Sequence, residues 1–344
     1  PPVDDNGPFG YLAEKASTNL IIQSEAIGAW TGIGGVDGQT NSLTGASNAS
    51  LLTETNTSAP QRNYKTVTGT TNCTLSCYAK AGTRNFVTLS GLVGSSDFAA
   101  AAFDLSAGTA QTAQENGTVT GQSNIESVGG GWYRCSLSLQ SSSSAISQIK
   151  VGLSDTATPT FGGWGDYVYT GNGSTAYFFG AQLETSTYPT SYIPTTTTAV
   201  TRNADVLIAG DMVTDAAGSA YTEASSIWPQ SIGEVFLLVR GNTGRILYLN
   251  TPTAIKAYDG VNVAYSPTVT SFYKNPTPLA STWGTGLIAY ANGTGGTAAA
   301  YDGTMGSGNL GIGHQNNGGF PFNGTVREVK IFDSELTAEE VGDL

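Results

Sequence analysis

The sequence predicts an all-β protein made of two tandem β-sandwich domains, with a single short helix near the C-terminus. Three observations predict this class: short segments that alternate apolar and polar residues, frequent Asn-Gly and Asp-Gly pairs, and only one segment with helix-start signals. Alternation with a period of two places every second side chain on one face of a strand. The chain has 344 residues, which favours two domains over one.

Strand signals follow one another along the whole chain. Ile149, Val151 and Leu153 alternate with polar or small neighbours, and residues 86–93 and 234–240 are nearly continuous apolar runs suited to central strands. Asn-Gly and Asp-Gly pairs separate the runs, because these residues tolerate the positive φ of tight hairpins. Short strands with such frequent turns are typical of a sandwich or barrel rather than of βαβ units.

The one predicted helix lies close to the C-terminus. Thr337 precedes Glu340 by three residues, which is the spacing of a capping box. The helix that this pair predicts is short and ends at about Val341.

The three cysteines lie in strand-like segments. Cys73 and Cys77 share the alternating face of Leu75, and Cys135 shares that of Leu137. We therefore expect three buried thiols on the apolar faces of strands. A disulfide or a reactive thiol is the alternative.

Acidic residues outnumber basic ones by 26 to 14, which gives a net charge of −12. Such a chain repels nucleic acid and anionic membranes, and no cluster of Lys and Arg supplies a local exception. No apolar run approaches the roughly 20 residues that a membrane-spanning helix needs. The composition therefore predicts no nucleic-acid partner and no membrane insertion. Because the chain opens with Pro-Pro rather than Met, we expect the numbering to start at a processing point or inside a longer polypeptide.

The domain boundary is predicted at residues 191–198, where Ser-Tyr-Ile-Pro precedes four threonines. Proline interrupts the hydrogen bonding of a sheet, and a threonine run after it favours an extended connector. The predicted parts are a lead-in segment at 1–15, a first domain at 16–195, a linker at 196–202 and a second domain at 203–344.

Six strings stand in order in the first half: YAKAGTR at 78–84, FDLSAGT at 103–109, IESVGGGWYR at 125–134, YTGNG at 169–173, GAQLE at 180–184 and YPTSYIPT at 188–195. This ordered set resembles phage and prophage structural proteins, typically tail or fibre components, with a jelly roll like that of carbohydrate-binding modules. In the second half, FNGTVREVKIFD at 322–333 leads into LTAEE at 336–340. This part is similar to laminin-G and concanavalin-like sandwiches.

The resemblance implies a non-catalytic structural or appendage protein on the surface of a virion, such as a tail or head fibre that contacts host-surface glycans. Other virion proteins would be its partners, and fibre proteins of this kind suggest a homo-oligomer, with a trimer favoured. A purely structural decoration or connector protein that binds only virion subunits is the alternative. A polysaccharide depolymerase is a third and less favoured interpretation.

Catalytic patterns are missing from the sequence. The single histidine, His314, stands in a Gly- and Asn-rich stretch and is predicted to be a polar residue on an exposed hairpin loop. There is no G-x-S-x-G nucleophile motif and no E-x-D-x-x-E pair of carboxylates on one strand. We therefore expect that the chain is not an enzyme.

The best candidate for sugar binding is the glycine-flanked segment 161–169. Sugar binding needs exposed aromatic faces beside polar groups in loops. Trp164 and Tyr167 would stack on a pyranose, Asp166 would accept hydrogen bonds from hydroxyls, and Tyr169 completes the predicted site. The alternative is that these aromatic residues cap the sandwich. Two further tryptophans, Trp30 and Trp132, lie beside strand patterns and are predicted core residues.

No organic cofactor is expected, and calcium is the only metal considered. Ca²⁺ prefers six to eight oxygen ligands, usually with several carboxylates. The weak candidates are Asp37, Asp259 and Asp302, and each stands in an Asp-Gly turn that the backbone already explains.

Overall fold

The computed structural model describes residues 10–41, 43–226, 235–241, 244–251, 253–269, 272–315 and 319–344. Strands make up nearly all of its regular structure, which confirms the predicted all-β class. The strands up to the middle of the first half are β1 (Tyr11–Ala13), β2 (Ser17–Asn19), β3 (Thr31–Gly32), β4 (Val36–Thr40), β5 (Ser47–Thr53), β6 (Ser58–Pro60), β7 (Arg62–Thr66), β8 (Asn72–Ala81), β9 (Phe86–Val93) and β10 (Asp97–Asp104). The next are β11 (Thr109–Ala110), β12 (Gln114–Asn116), β13 (Val119–Gly129), β14 (Trp132–Ser141), β15 (Gln148–Ser154), β16 (Val168–Thr170), β17 (Thr175–Glu184), β18 (Val200–Arg202) and β19 (Leu207–Ala209). The last are β20 (Gly218–Ser226), β21 (Val235–Arg240), β22 (Gly244–Thr251), β23 (Ala254–Tyr258), β24 (Val263–Tyr265), β25 (Thr277–Trp283), β26 (Ile288–Ala291), β27 (Thr294–Gly295), β28 (Leu310–Ile312) and β29 (Gly324–Phe332).

The predicted C-terminal helix is present as α1 (Ala338–Gly342). Thr337 is its N-cap and accepts a hydrogen bond from the backbone N–H of Glu340, while the Glu340 carboxylate accepts one from the backbone N–H of Thr337. This reciprocal pair satisfies two N–H groups that the first helical turn leaves free. The capping box is confirmed. No helix in the described part of the chain is long and apolar enough to cross a membrane.

The chain forms two compact units, the first from Ser17–Arg202 and the second from Asn203–Leu344 together with the described residues before 17. Part of the predicted lead-in segment is thus strand β1, which pairs with β29 in the second unit. Part of the predicted linker is strand β18, which pairs with β2 in the first unit. These segments differ from the sequence boundaries because their hydrogen-bonding partners lie far away along the chain.

In the described part of the first unit, one continuous antiparallel sheet runs in the order β3-β7-β15-β9-β10-β12-β13-β14-β8-β17-β5-β4, and β11 pairs with β10. The sheet folds over itself, because β9 packs against β8 and β14 without being their neighbour in the sheet. A single apolar core fills the space between the two layers, and Leu75, Leu89, Phe103, Leu137 and Phe178 are among its fully buried members.

The three cysteines of the first unit lie where the alternation predicts. Cys73, Cys77 and Cys135 are buried in the core as free thiols, so the prediction of buried cysteines is confirmed. Trp30 is buried in the same core, as predicted. Trp132 is buried too, but in a separate apolar cluster on the opposite face of the sheet, where it stands opposite Lys80.

The second unit packs two sheets face to face, in the orders β1-β29-β20-β25-β26-β27 and β19-β28-β21-β22-β23-β24 among the described residues. Its core includes Leu238, Leu247, Ile255 and Trp283. On the outer face of the first sheet, Val341 of α1 packs against apolar and aromatic side chains. This arrangement fits the predicted sandwich.

Candidate functional site

The predicted sugar-binding segment lies in the loop between β15 and β16 of the first unit. Gly163–Gly165 form a 3-10 turn, and inside it Trp164 has a φ of 68° and a ψ of 8°. This left-handed conformation costs a residue other than glycine about 1 to 2 kcal/mol. The indole is 54% exposed. The loop therefore presents a large aromatic ring to solvent in a backbone conformation that tryptophan does not favour.

Asp166 is placed by two cations from neighbouring strands. Its oxygens accept hydrogen bonds from Nε and Nη2 of Arg62, at 2.9 and 3.0 Å, and from Nζ of Lys150 at 2.8 Å. Burial acts to raise the pKa of Asp166, but the hydrogen bonds from Arg62 and Lys150 outweigh it and hold the pKa below its usual range. Both carboxylate oxygens are therefore occupied. The predicted role of Asp166 as an acceptor for sugar hydroxyls stays a prediction, and the structure gives the residue a supporting position.

Tyr167 and Tyr169 form a stacked pair with ring centroids 5.2 Å apart. Tyr169 is buried, and its hydroxyl donates to Oε1 of Glu54 at 2.6 Å. Tyr167 is half-buried and donates to Asp155 at 2.7 Å. Burial, followed by the hydrogen bond to Asp155, raises the pKa of Tyr167 to about 12. The ring of Tyr169 thus belongs to the interior and has no free face for a sugar, whereas Tyr167 keeps an exposed part.

Glu54 connects the inner end of this aromatic pair to the sheet. Its side chain is fully buried and accepts two hydrogen bonds from Arg84, at 2.6 and 2.9 Å, and one from the backbone N–H of Asn172 at 3.0 Å. Burial acts to raise the pKa of Glu54, but these hydrogen bonds together with that from Tyr169 lower it overall. Arg84 donates from Nε and Nη2 to the two carboxylate oxygens of Glu54, and this buried bidentate pair fixes the loop on the sheet.

The space beneath the loop is filled. A cavity bounded by Lys150, Phe161, Asp166 and Tyr167 holds only about 10 Å³. A ligand of this loop would therefore lie on its surface, against Trp164 and the exposed part of Tyr167, rather than in a pocket below them.

A second feature of the first unit is a cleft of about 460 Å³ on the sheet face, which we call the sheet-face groove. It crosses several strands, and its lining residues are Gln39, Thr40, Lys80, Trp132 and Tyr177. Lys80 stands opposite Trp132 on one neighbouring strand and opposite Tyr177 on the other. Trp132 is only 1% exposed, so half-buried Tyr177 is the aromatic ring that a ligand of the groove can contact, beside amide, hydroxyl and ammonium groups of the kind that sugar recognition needs.

Sequence reasoning did not find the sheet-face groove. Alternation along β8 indicates that Lys80 faces away from its core neighbours Ala79 and Cys77. That pattern does not reveal that β14 and β17 flank β8 and bring Trp132 and Tyr177 beside it. The groove was not predicted because the sequence does not show which strands are neighbours in the sheet.

The structure places Asp259 and Asp302 in hydrogen-bonded turns, but Asp37 lies within strand β4, so the turn predicted there is wrong. Oδ1 of Asp37 accepts from the backbone N–H of Gly28 at 2.7 Å and from Ser50 at 2.5 Å. Asp259 and Asp302 lie close together, since the backbone N–H of Asp302 donates to Oδ2 of Asp259 at 3.0 Å. Burial acts to raise the pKa of Asp259, but backbone hydrogen bonds outweigh it.

Within the described residues, no group of three or more His, Cys, Asp and Glu side chains stands in a metal-binding arrangement. Asp37 accepts hydrogen bonds from Gly28 and Ser50, and Asp259 accepts them from its own turn and from Asp302. Calcium binding at Asp37, Asp259 and Asp302 stays a prediction.

His314 differs from its predicted place on an exposed loop, and that prediction is wrong. The side chain is buried. Its Nε2 accepts a hydrogen bond from the backbone N–H of Leu207 at 2.6 Å, and its Nδ1 donates to the carbonyl of Gln315. The physical reason is that the edge strand β19 needs an acceptor for this N–H group. Both ring nitrogens are occupied, so His314 is not free to act as a general base.

Comparisons with known proteins show no family for this chain. No family model matches the chain, and no curated protein matches it. Among solved structures, the chain is similar to a proposed carbohydrate-binding protein from Bacteroides ovatus, with 13% identity, a TM-score of 0.31 and coverage of 83% of this chain and 80% of that one. It is also similar to domains LG4–5 of the mouse laminin α1 chain, with 10% identity, a TM-score of 0.26 and coverage of 94% and 90%. Both TM-scores are too low to establish a shared function.

Proposed function

We propose that this chain is a non-catalytic glycan-binding protein and that Trp164 is the central contact of its binding surface. The observation that carries the proposal is the exposed indole on a left-handed residue. Such strained backbone persists only where the surroundings enforce it, and it is concentrated at binding sites. An exposed tryptophan on a fixed loop presents the flat apolar surface on which a pyranose ring packs.

The surroundings of Trp164 support a fixed rather than an adaptable surface. Lys150 donates to the Trp164 carbonyl and to Asp166, and Arg62 binds the other side of Asp166. A surface that is ordered before the ligand arrives loses less conformational entropy on binding. The sheet-face groove, with the half-buried ring of Tyr177 beside polar groups, is a second candidate place on the first unit for the same ligand class.

The finer part of the proposal is a place on a virion, as a tail or head fibre or another appendage. The ordered strings at 78–195 support it through their resemblance to phage structural proteins. A trimer would multiply weak glycan contacts, since linked sites gain about two to four decades in avidity. A decoration or connector protein that binds only virion subunits is the second candidate, because exposed aromatic residues serve protein partners as well.

The test of glycan binding is a glycan array followed by titration with the full chain. We expect Trp164→Ala and Tyr167→Ala each to weaken binding at least about tenfold, equal to about 1.4 kcal/mol. Trp164→Ala should leave the thermal unfolding midpoint nearly unchanged, whereas Tyr167→Ala should lower it, because it also removes the stack on Tyr169 and the hydrogen bond to Asp155. Val168→Ala is the matched control, because Val168 is 55% exposed in the same segment and should leave binding unchanged. Unchanged binding in the two aromatic variants, or a large loss of stability with binding retained, would refute the role of the loop.

The place on the particle is tested by cryo-electron microscopy of the intact virion. A position at the tip of an appendage is expected if the chain contacts host glycans. A position buried in a collar or shell would favour the connector role, and cleavage of a polysaccharide by the purified chain would reject both.

A further inference from the structure

The second unit has a cleft of its own, about 470 Å³ in volume, which we call the edge cleft. One wall is formed by Val263 and Tyr265 of β24 and by the residues just after them, and the other by residues 296–299 after β27. Both β24 and β27 are the last strands of their sheets among the described residues. The cleft therefore lies along the edge of the sandwich, away from its packed core.

The walls of the edge cleft are fixed by backbone contacts. The N–H of Gly296 donates to the carbonyl of Ala289 at 2.9 Å, and Ala299 and Leu287 exchange two hydrogen bonds of 2.9 and 3.0 Å. A Cβ atom added at Gly296 would stand only 1.7 Å from the carbonyl oxygen of Tyr265, so only glycine allows the two walls to meet there. Small side chains on the wall at 296–299 leave the space above this contact open.

Tyr265 lines the edge cleft, and a cation lies against its ring. Tyr265 is 52% exposed, and Nζ of Lys256, its register partner on β23, lies 4.8 Å from the centroid of its ring. The same ammonium lies 5.8 Å from the ring of Tyr248, and the Lys256 residue as a whole is only 8% exposed. Two tyrosines thus hold this cation in place by cation–π contacts.

No carboxylate of the described residues forms an ion pair with Lys256, although the chain carries 26 acidic residues. Lys330 shows the contrast within the same unit. It lies 5.0 Å from the ring of Tyr221 and also 3.4 Å from Oε1 of Glu328. The Lys256 cation, which lies behind Tyr265 beside the edge cleft, therefore has no carboxylate partner among the described residues, whereas the cation of Lys330 is paired within the protein.

We propose that the edge cleft binds an acidic sugar residue, a pyranose that carries a carboxylate. The ring would pack against the exposed part of Tyr265, the carboxylate would pair with Lys256, and the exposed hydroxyl of Thr297 would bind a sugar hydroxyl. A neutral sugar would leave the cation unmatched. This site is independent of Trp164 and stands whether or not the first unit binds glycans.

The test is calorimetric titration of the full chain with a hexamer of galacturonic acid and with the same hexamer as its methyl ester. The ester keeps the shape and removes the charge. We expect the acid to bind at least about tenfold more tightly than the ester, a difference of about 1.4 kcal/mol. Binding of the acid should weaken as salt is added, because salt screens the ion pair.

Four variants locate the binding. Lys256→Gln and Tyr265→Ala should each weaken binding of the acid hexamer at least about tenfold. Lys330→Gln is the control and should bind it like the original chain, whereas Trp164→Ala reports whether the surface of the first unit contributes to the binding. Thermal unfolding checks that the variants are folded, and Tyr265→Ala removes an exposed ring, so it tests the site even if Lys256→Gln is unstable.

Equal affinity for the acid and the ester overturns the proposal, as does failure of the acid hexamer to bind. Full binding by both Lys256→Gln and Tyr265→Ala also overturns it. If only Trp164→Ala weakens binding of the acid hexamer, the acidic sugar binds to the first unit and the proposal for the edge cleft is rejected. Binding at the edge cleft without any effect of Trp164→Ala on other glycans would leave this proposal standing and reject the role proposed for Trp164.

Discussion

Lys150 donates a hydrogen bond from its ammonium to the carbonyl oxygen of Trp164. The same ammonium pairs with Asp166, two residues further along the loop. The Lys150 side chain is 3% exposed, so this cation binds the loop from below, inside the unit. Trp164 is thereby fixed at its backbone while its ring remains in solvent, which separates the part that holds the loop from the part that would bind a ligand.

The left-handed backbone at Trp164 predicts that a glycine variant at this position is more stable than an alanine variant. Glycine adopts this conformation without the cost that a Cβ atom brings, so Trp164→Gly should unfold with a free energy about 1 kcal/mol higher than Trp164→Ala. Urea denaturation of the two variants measures the difference. At an ordinary loop position the order would be reversed, because glycine gains more entropy on unfolding. An alanine variant as stable as the glycine variant would therefore contradict the described conformation.

The buried pair of Glu54 and Arg84 predicts how stability depends on pH. The folded-state pKa of Glu54 is lowered, so its contribution is fully present above the ordinary carboxyl range near about 4.3 and is lost as the pH falls through the lower folded value. Asp166 has a lowered pKa and acts in the same direction. We expect a nearly constant free energy of unfolding from pH 7 to pH 5 from these two groups and a decline below about pH 4.

Removal of the Glu54 charge tests the same pair directly. Glu54→Gln leaves Arg84 mostly buried without its partner, which should cost about 3 to 5 kcal/mol at pH 7. Denaturant unfolding at pH 7 and at pH 3 measures the free energy of unfolding of both chains. The difference between the variant and the original chain should be smaller at pH 3 than at pH 7. Asp333→Asn is the control, because Asp333 is exposed and should change stability by less than about 0.5 kcal/mol. A gap that is the same at both pH values would show that the pair does not govern acid stability.

The three buried cysteines are expected to react with thiol reagents only after the protein unfolds. Burial raises the pKa of Cys77 to about 12 and also raises that of Cys135, which stands directly opposite on the next strand. The thiolate is the reactive form, so native protein at pH 8 should not react with a thiol reagent. All three cysteines, including Cys73, should react in denaturant. A fast reaction of any one thiol in the native state would show that it is not buried.

Much of the fold could be predicted from local patterns. Alternation placed Cys73, Cys77 and Cys135 in the core, and the spacing of Thr337 and Glu340 located the helix. These features depend on residues close together in sequence, where the period of a strand or the geometry of a helical turn fixes the outcome.

The candidate site was predicted less completely, since its contacts join distant parts of the chain. Segment 161–169 was identified as a glycine-flanked loop, but nothing in it indicates that Asp166 binds Arg62 from β7 and Lys150 from β15. Nor does it show that the hydroxyl of Tyr169 reaches Glu54. A period of two assigns faces to side chains and does not say which strands become neighbours.

The pairing of β1 with β29 determines when the second unit can be completed during synthesis. Tyr11 lies opposite Val326, and residues 17–202 of the first unit are made between them. Residues 17–202 therefore leave the ribosome as one uninterrupted stretch that can fold. Strand β1 stays unpaired until β29 has been synthesised. A fragment that begins at residue 203 lacks this strand, so recombinant preparations of the second unit should carry residues 10–16 as an added piece to protect that edge from aggregation.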